Sequence, residues 1–553
     1  MSLKLNLCAG VAVGALLIAT AGSGHAQTSQ TSVRSLENQF QQLQQTYQNQ
    51  IQNLQAQVDA LKEQQRMQAE QAEAVRNQAA QTAQAMRTAQ AQSSGGLPST
   101  YHVGGVTLKV GGYIESAGIF RSSTETSDVA TGLNTAVPFG ANTNAHLSEF
   151  RESARQSRLS LLAFGDPDVN TRLSAYFEMD FLGMSSTANS NQSNSYNLRA
   201  RQLFAEYDRK DWGFSLAGGQ MWSLATLETS GLYPRNEATP LTIDANYNVG
   251  FNWLRVPQIR LIENFAPGWW GAVSLESPQA VNINDSLPSS ATPGILASGD
   301  VITGLTGGSG GLLGGGGNTQ TFSVDPIPDI IAKVAAEPGW GHYELYGIGR
   351  EFRTNVIAPA PAALRGHQTA FAGGVGAGAV LPVLPHLVDV TATILYGSGI
   401  GKYGAAQLSD YTVNADGQPS PNTEITGLVG IIGHPDPRWD LYGYWGIEHA
   451  DSNTFNNTAG TSHFGYGNPA YTNAACIAGA FSAAGGTGVA GCNIDEAMEF
   501  QVGGWWNFYK GDYGRMALGL SYAHIDVDTF PGTKGSPSGS NNIVMTSFRY
   551  YPF

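Results

Sequence analysis

The stretch from Arg155 to Leu182 constrains the fold more than any other part of the chain, because its second half alternates strictly between polar and apolar residues. A repeat of two residues is that of a β-strand, in which successive side chains point to opposite faces. The polar face carries charges of both signs and the apolar face carries none, so the polar face is predicted to contact water. The polar set is Arg172, Ser174, Tyr176, Glu178 and Asp180, and the apolar set is Leu173, Ala175, Phe177, Met179 and Phe181.

Residues 1–26 have the pattern of a secretory signal peptide. Lys4 supplies a positive charge near the start, an apolar run follows, and small residues precede a cleavage site after Ala26. A membrane-anchoring helix is the alternative, but the apolar run is short and a polar, Gln-rich segment follows it. The chain is therefore predicted to be exported.

The chain has three cysteines, and Cys8 lies within the predicted signal peptide. The mature chain would keep Cys476 and Cys492, an even pair in an exported protein, which predicts one disulfide. Two free thiols are the alternative. No Cys/His cluster with metal-ligand spacing occurs, so neither a metal ion nor a cofactor is expected.

Residues 27–92 are rich in Gln and Ala and contain no Gly or Pro. After a four-residue slip, apolar residues follow a heptad register that begins with Ile51, Leu54, Val58 and Leu61. Sustained heptads predict a multi-stranded coiled coil, and hence an oligomer, because a single amphipathic helix in water would bury nothing. Residues 93–105 contain Gly and Pro and form the predicted linker.

Residues 106–553 are predicted to form strands that close into an all-β transmembrane barrel. The best candidate for a membrane-spanning helix, 370–388, contains Pro382, Pro385 and four glycines, so it fits strands better. Seven short turns alternate with eight long loops, which predicts about sixteen antiparallel strands, or eighteen if 223–255 contains two more. Short turns at one end and long loops at the other are typical of outer-membrane barrels, and about sixteen strands leave a water-filled channel.

Several segments resemble those of the DcaP-like trimeric porins of Gram-negative bacteria. The resemblance implies a homotrimer of sixteen-stranded barrels in the bacterial outer membrane, with its coiled coil in the periplasm, and passive uptake of small anionic solutes such as dicarboxylates. Lipid and lipopolysaccharide would surround the barrel, peptidoglycan is a candidate partner, and the terminal Phe553 resembles the signal that the outer-membrane assembly machinery recognises. Besides the coiled coil, the segments are Val106–Gly118 (VTLKVGGYIESAG), Arg155–Leu161 (RQSRLSL), Asp168–Phe181 (DVNTRLSAYFEMDF), Leu198–Tyr207 (LRARQLFAEY) and Gly218–Ser223 (GGQMWS).

The candidate site is a set of arginines in or beside the predicted strands. A guanidinium stays charged and holds a carboxylate with two parallel donors, so arginines on a wet face would favour anions. Nearby Glu and Asp could instead neutralise them, and the net charge of −14 does not decide the matter because charges at the constriction set selectivity. The predicted solute-binding and pore-lining residues are Arg155, Arg158, Arg172, Tyr176, Glu178, Arg199, Arg201 and Arg350.

Other classes of function have weaker support. The chain contains no HExxH or P-loop motif and no basic cluster, so neither an enzyme nor a nucleic-acid-binding protein is expected. An oligosaccharide porin is one alternative, in which aromatic residues such as Tyr442, Tyr444 and Trp505 would stack on sugars. A structural tether between the outer membrane and the cell wall, linked through the coiled coil, is another.

Overall fold

The structure is a computed structural model. It describes Gln45, which is helical, and residues 100–125, 127–133, 136–183, 197–281, 301–303, 323–358, 363–414, 416–456, 463–470, 472–474 and 492–553. The predicted signal peptide, the rest of the coiled coil, most of the linker and Cys476 lie outside these residues, so those predictions, including the disulfide, stay predictions. The chain divides into two compact units, Met1–Ser94 and Gly95–Phe553, and the second contains every described strand.

Strands dominate the described part of the chain. Within it, two short 3₁₀ helices occur at Thr143–His146 and Gly401–Tyr403, and no helix has the length and apolar character needed to cross a membrane. The strands are β1 Thr100–Val103, β2 Val106–Arg121, β3 Glu149–Ser153, β4 Arg158–Gly165, β5 Thr171–Gly183, β6 Asn197–Arg209, β7 Phe214–Trp222, β8 Arg255–Ala266, β9 Trp269–Glu276, β10 Val301–Thr303, β11 Asp329–Ala336, β12 His342–Ala358, β13 Ala363–Leu384, β14 Val388–Ser398, β15 Tyr411–Val413, β16 Pro419–Pro421, β17 Thr423–Asp436, β18 Trp439–Ala450, β19 Asn453–Asn456, β20 His463–Tyr466, β21 Ile494–Gly511, β22 Gly514–Thr529 and β23 Ser538–Tyr551.

The main sheet is antiparallel and closes on itself. β2 pairs with the last strand, β23, on one side and with both β3 and β4 on the other, so β3 and β4 are two parts of one interrupted wall strand. Each following wall strand pairs with the next, which gives a closed wall of sixteen strands, as predicted. Closure gives each of these sixteen wall strands a partner on both sides, so the wall has no open edge. The short strands β1, β10, β15, β16, β19 and β20 lie outside this count.

The two faces of the wall differ as the alternation predicts. On β5, Leu173 points outward and is 47% exposed, whereas Asp180 points inward and is 0% exposed. A shift of register by one residue would exchange the two faces of the strand, so the pattern specifies which side chains enter the barrel. The apolar outer face and the charged inner face of β5 are therefore confirmed.

Connections at the two ends of the barrel have different lengths, again as predicted. Turns such as 166–170 and 267–268 join strands at one end, and long segments such as 223–254 and 399–422 join them at the other. Residues 223–254 contribute no wall strand, so the alternative of eighteen strands is not realised. Several long segments fold inward, and their side chains fill much of the barrel.

Candidate functional site

The long connection between β7 and β8, residues 223–254, runs across the inside of the barrel, and we call it the crossing loop. Its ends join the neighbouring strands β7 and β8, yet its backbone contacts β12 and also β17, β18 and β21, the three strands that we call the far wall. The N–H of Glu228 donates to Oε1 of Glu344 on β12 at 3.0 Å, and the N–H of Gly250 donates to Oε1 of Glu448 on β18 at 2.9 Å. Most of its side chains are buried. The crossing loop therefore narrows the interior.

Glycines allow the crossing loop to lie directly against the far wall. Gly250 has a φ of 82°, a left-handed conformation that favours glycine. A Cβ at Gly250 would also collide with the carbonyl oxygen of Gly427 on β17. On the neighbouring strand, a Cβ at Gly446 would collide with the carbonyl oxygen of Val249. The contact is thus made between backbones, which fixes the position of the loop.

We call β4, β5 and β6 the near wall of the barrel. It carries a network of ion pairs between β5 and β6. Arg201 donates from Nε to Oε1 of Glu178 at 2.7 Å and from Nη1 to Oδ2 of Asp180 at 2.8 Å. Arg199 holds the same Asp180 with two donors, at 3.0 and 2.7 Å. Arg201 also donates to the hydroxyl of Tyr247 on the crossing loop at 3.2 Å. Three of the predicted residues, Glu178, Arg199 and Arg201, thus meet around Asp180, because period-two positions on paired strands face one another.

Two further arginines adjoin this network and hold no carboxylate tightly. Arg158 on β4 lies 3.6 Å from Oε2 of Glu178, and it makes no hydrogen bond that the described residues show. Arg255 lies over the rings of Trp222 and Trp253, at 4.8 and 4.9 Å, with no carboxylate within 4.0 Å among the described residues. Both guanidinium groups are close enough to Glu178 to interact with it electrostatically. We call Arg158, Arg199, Arg201 and Arg255 the arginine cluster.

The arginine cluster has an excess of positive charge and is reached by solvent. Four guanidinium groups face two carboxylates, Glu178 and Asp180, which leaves a formal local charge of +2. The side chains of Arg158 and Arg199 are 21% and 20% exposed. Tyr176, another predicted residue, donates from its hydroxyl to Oε2 of Glu178 at 3.1 Å. The arrangement can therefore attract an anion and offer it free N–H donors.

The strand pattern alone did not select Arg255 as a site residue. It is the first residue of β8, where alternation gives no firm face, and it reaches the network because Trp222 and Trp253 hold its guanidinium. The only signal in the sequence for this arrangement was the position of Trp222 and Trp253 close to the strand ends, since Arg commonly lies over indole rings.

Two of the predicted residues hold other parts of the chain together. Arg155 lies before β4 and pairs with Asp128 at 3.1 Å, and its other donors point at the carbonyl oxygens of Phe181 and Leu182. Arg172 faces inward near the short-turn end, where it pairs with Asp166 of the adjacent turn at 2.9 Å. The structure does not bring Arg172 to the arginine cluster.

Arg350 lies in a different, closed environment. Its guanidinium is 1% exposed and pairs with Asp329 at 3.1 Å and with Asp410 at 2.7 Å. It also donates to the carbonyl oxygens of Gly399 and Gln279. These partners occupy its donors, so Arg350 fastens the segment 399–422 to the wall and has no surface that faces solvent.

Carboxyl groups on the far wall bind loop backbone. Glu448 accepts hydrogen bonds from the N–H groups of Gly250 and Ala406, at 2.9 and 3.0 Å. Glu499 accepts from the N–H of Val249 at 2.9 Å. In the same way Glu424 accepts from Ile400 at 2.9 Å. All three acids are buried, so their charge does not line an open surface.

The aromatic residues that would have formed a sugar-binding track are covered. The hydroxyl of Tyr444 accepts a hydrogen bond from the N–H of Leu241 at 3.2 Å, and Nε1 of Trp505 donates to the carbonyl oxygen of Leu241 at 2.7 Å. Tyr442 is buried beside them. Tyr444 and Trp505 therefore anchor the crossing loop, and all three rings are too buried to present their faces to a solute.

One carboxyl group of the crossing loop has an unusual environment. The side chain of Glu228 is fully buried, and neither of its oxygens has a hydrogen-bond partner among the described residues. Burial raises the pKa of Glu228 well above its ordinary value, and nearby Glu237 raises it further, while Arg260 at 3.5 Å opposes the rise. The buried environment therefore favours the protonated form of Glu228 more than water does.

Comparison with known proteins agrees with this architecture. No protein-family model and no curated protein matches the chain. The outer membrane channel DcaP of Acinetobacter baumannii has a TM-score of 0.53 at 16% identity, covering 83% of this chain and 100% of that one. The anion-selective porin from Comamonas acidovorans and the outer-membrane OmpT of Vibrio cholerae both have a TM-score of 0.42 at 10% identity, covering 81% and 82% of this chain and 99% of each of theirs. The resemblance to DcaP-like porins is thus confirmed in the fold, a closed sixteen-stranded barrel similar to that of the DcaP channel.

Proposed function

We propose that the protein is a homotrimeric outer-membrane porin through which small hydrophilic solutes diffuse passively, with a preference for anions such as dicarboxylates. The single observation that carries the preference is the arginine cluster, in which four guanidinium groups face only two carboxylates. Arg158 holds Glu178 only loosely, at 3.6 Å, and Arg255 has no carboxylate within 4.0 Å among the described residues, so both guanidinium groups are candidates to pair with the carboxylates of a solute.

The wider proposal follows from the closed barrel with an apolar outer wall. Such a wall is stable in lipid, because every wall strand has its backbone hydrogen-bonding partners and exposed side chains such as Leu173 and Val375 are apolar. In this arrangement the short turns and the predicted coiled coil lie in the periplasm, and the outer wall meets lipid and lipopolysaccharide. Phe553 remains the proposed contact for the assembly machinery, and peptidoglycan a proposed partner of the coiled coil.

Uptake by proteoliposomes tests the preference directly. The full-length protein is reconstituted, and the entry of labelled succinate is compared with that of an uncharged sugar of similar size. We expect succinate to enter faster in the wild type, and Arg158→Gln with Arg255→Gln to lower its rate about tenfold, since charges at a constriction control ion entry. Sugar entry should change little, because the substitutions remove charge and keep a polar side chain only somewhat smaller than arginine.

The matched control is Arg209→Gln, which removes an arginine paired with Asp211 at 2.7 Å near a short turn. It should leave both rates unchanged. Equal entry of succinate and sugar in the wild type would contradict the anion preference, and so would a doubly substituted protein that still favours succinate. Absence of entry for both solutes would contradict the porin itself.

A further inference from the structure

A groove on the outer face of the barrel crosses β8, β9, β11, β12 and β13, and it encloses a volume of about 690 Å³. Its floor is formed by Gly271, Ala332 and Gly347, and larger residues such as Leu261 and Val375 form its sides. Its length across four inter-strand gaps is about 19 Å at ~4.8 Å per gap. That length is comparable to the ~15 Å hydrocarbon depth of one leaflet.

Strand register creates the groove. One cross-strand row runs through Leu261, Val273, Ala332, Gly347 and Val375, so two small residues are neighbours within it. In the adjacent row, small Gly271 lies between larger residues of the neighbouring strands, and all of these positions face outward. The outer surface of the wall is therefore recessed along a line that runs obliquely over three strands.

Backbone crowding does not explain the small residues on the floor. A Cβ at Gly347 would have only the carbonyl oxygen of Gly374 near it, at 3.9 Å. A Cβ at Gly271 would meet only the ring of Phe265, at 3.7 Å. Both distances are ordinary van der Waals contacts, so larger residues would fit, and their absence leaves a space that a partner can fill.

The chemistry at one end of the groove indicates the occupant. Glu263 lines the groove, points outward and is exposed, and it forms no ion pair that the described residues show. It lies three residues from the short turn at 267–268, beside the exposed aromatic rings of Phe265 and Trp269. Aromatic rings of this kind mark the boundary between hydrocarbon and headgroups. A free carboxylate at this boundary matches a cationic headgroup.

We propose that the groove binds one acyl chain of a phospholipid whose headgroup carries a primary amine, and that Glu263 pairs with the amine. The proposal rests on the proposed outer-membrane location, which puts the short turns and Glu263 in the periplasmic leaflet. The apolar sides exclude a polar partner, and the acyl chain covers Gly347 and Ala332 where no side chain of the wall does.

The test is a count of bound lipids by native mass spectrometry. The full-length protein is delipidated, reconstituted in equal amounts of phosphatidylethanolamine and phosphatidylglycerol, and extracted in mild detergent. The wild type should retain phosphatidylethanolamine. Gly347→Leu should retain about tenfold less, because the leucine occupies the space of several acyl methylene groups. Ala332→Leu is a second variant with the same expectation.

Two controls separate the groove from its surroundings. Gly349→Leu lies two residues from Gly347 on the same outer face, with no atoms within 4 Å of a Cβ there, and it should retain lipid like the wild type. Glu263→Gln should still bind lipid but should lose the preference for phosphatidylethanolamine over phosphatidylglycerol. A change in gel mobility on heating verifies that each variant is folded.

Three results would overturn the proposal: no lipid retained by the wild type, equal retention by Gly347→Leu, or dissociation of the oligomer by Gly347→Leu, which would assign the groove to a second copy of the chain. Failure of the porin proposal would appear in a different measurement, solute uptake. The groove variants should leave solute uptake unchanged, whereas the Arg158 and Arg255 variants should leave lipid retention unchanged.

Discussion

The near and far walls of the barrel use inward-facing charges in opposite ways. In the arginine cluster on β4, β6 and β8, four guanidinium groups face two carboxylates of β5, and the side chains of Arg158 and Arg199 are partly exposed. On β17, β18 and β21, buried carboxyl groups such as Glu448 and Glu499 accept hydrogen bonds from loop N–H groups. We therefore propose that the near wall faces the solute, whereas the far wall holds the loops that narrow the interior.

This difference explains why the overall charge is a poor guide to the interior. The chain has 43 acidic and 29 basic residues, an excess of negative charge that by itself would favour cations. Yet several inward acids are covered by loop backbone, while Arg158 and Arg255 have no closely held carboxylate. Selectivity depends on which charges remain exposed at the narrowest point.

The largest expected effect comes from removing the carboxylate of Glu448 on the far wall. Glu448→Ala leaves the N–H groups of Gly250 and Ala406 without acceptors, at a cost of about 1–3 kcal/mol for each buried donor. The crossing loop and segment 399–422 should loosen, and single-channel conductance in a planar bilayer should rise. Glu152→Ala, which removes an exposed carboxylate on the outer face of β3, is the control and should change nothing. Unchanged conductance in Glu448→Ala would contradict the role of the far wall.

A smaller effect, dependent on pH, is expected at Glu228 in the crossing loop. Because burial raises its pKa in the folded state, the folded protein holds this proton more tightly than the unfolded chain does. Both states are protonated below the ordinary pKa of glutamate, and the wild type loses stability as pH rises above it. Glu228→Gln should therefore raise the melting temperature at pH 8 but not at pH 4. A difference of the same size at both pH values would refute this explanation.

The smallest effect is expected at Arg172, although its inward direction was the clearest in the sequence. Its partner Asp166 is about as exposed as Arg172 itself, and an exposed pair is worth about 0–1 kcal/mol. Arg172→Gln should leave the melting temperature and the succinate uptake rate close to those of the wild type. A large loss of uptake would move the selective site from the arginine cluster to the short-turn end of the barrel.

The wall of the barrel could be predicted from the sequence because its signals are local. Alternation on β5 specified which side chains face inward, and turn residues between runs specified where strands end. Arg199, Arg201 and Glu178 lie together for the same reason, since they are on consecutive paired strands.

The packing inside the barrel could not be predicted in this way. Glu448 and Gly250 are 198 positions apart, and Arg350 and Asp410 are 60 apart, so no periodic pattern connects them. Arg350 was expected to line the pore because its strand position faces inward, but segment 399–422 covers it. The covering loops also hide Tyr444 and Trp505, whose strand positions alone had suggested a sugar track.

The most direct test of this account is the zero-current potential of the purified protein in a planar bilayer under a KCl gradient. The account predicts a potential that favours chloride, reduced towards zero by Arg158→Gln with Arg255→Gln, and keeping its sign in Glu448→Ala. A potential that favours potassium in the wild type, or one that responds to Glu448 and ignores both arginines, would contradict it.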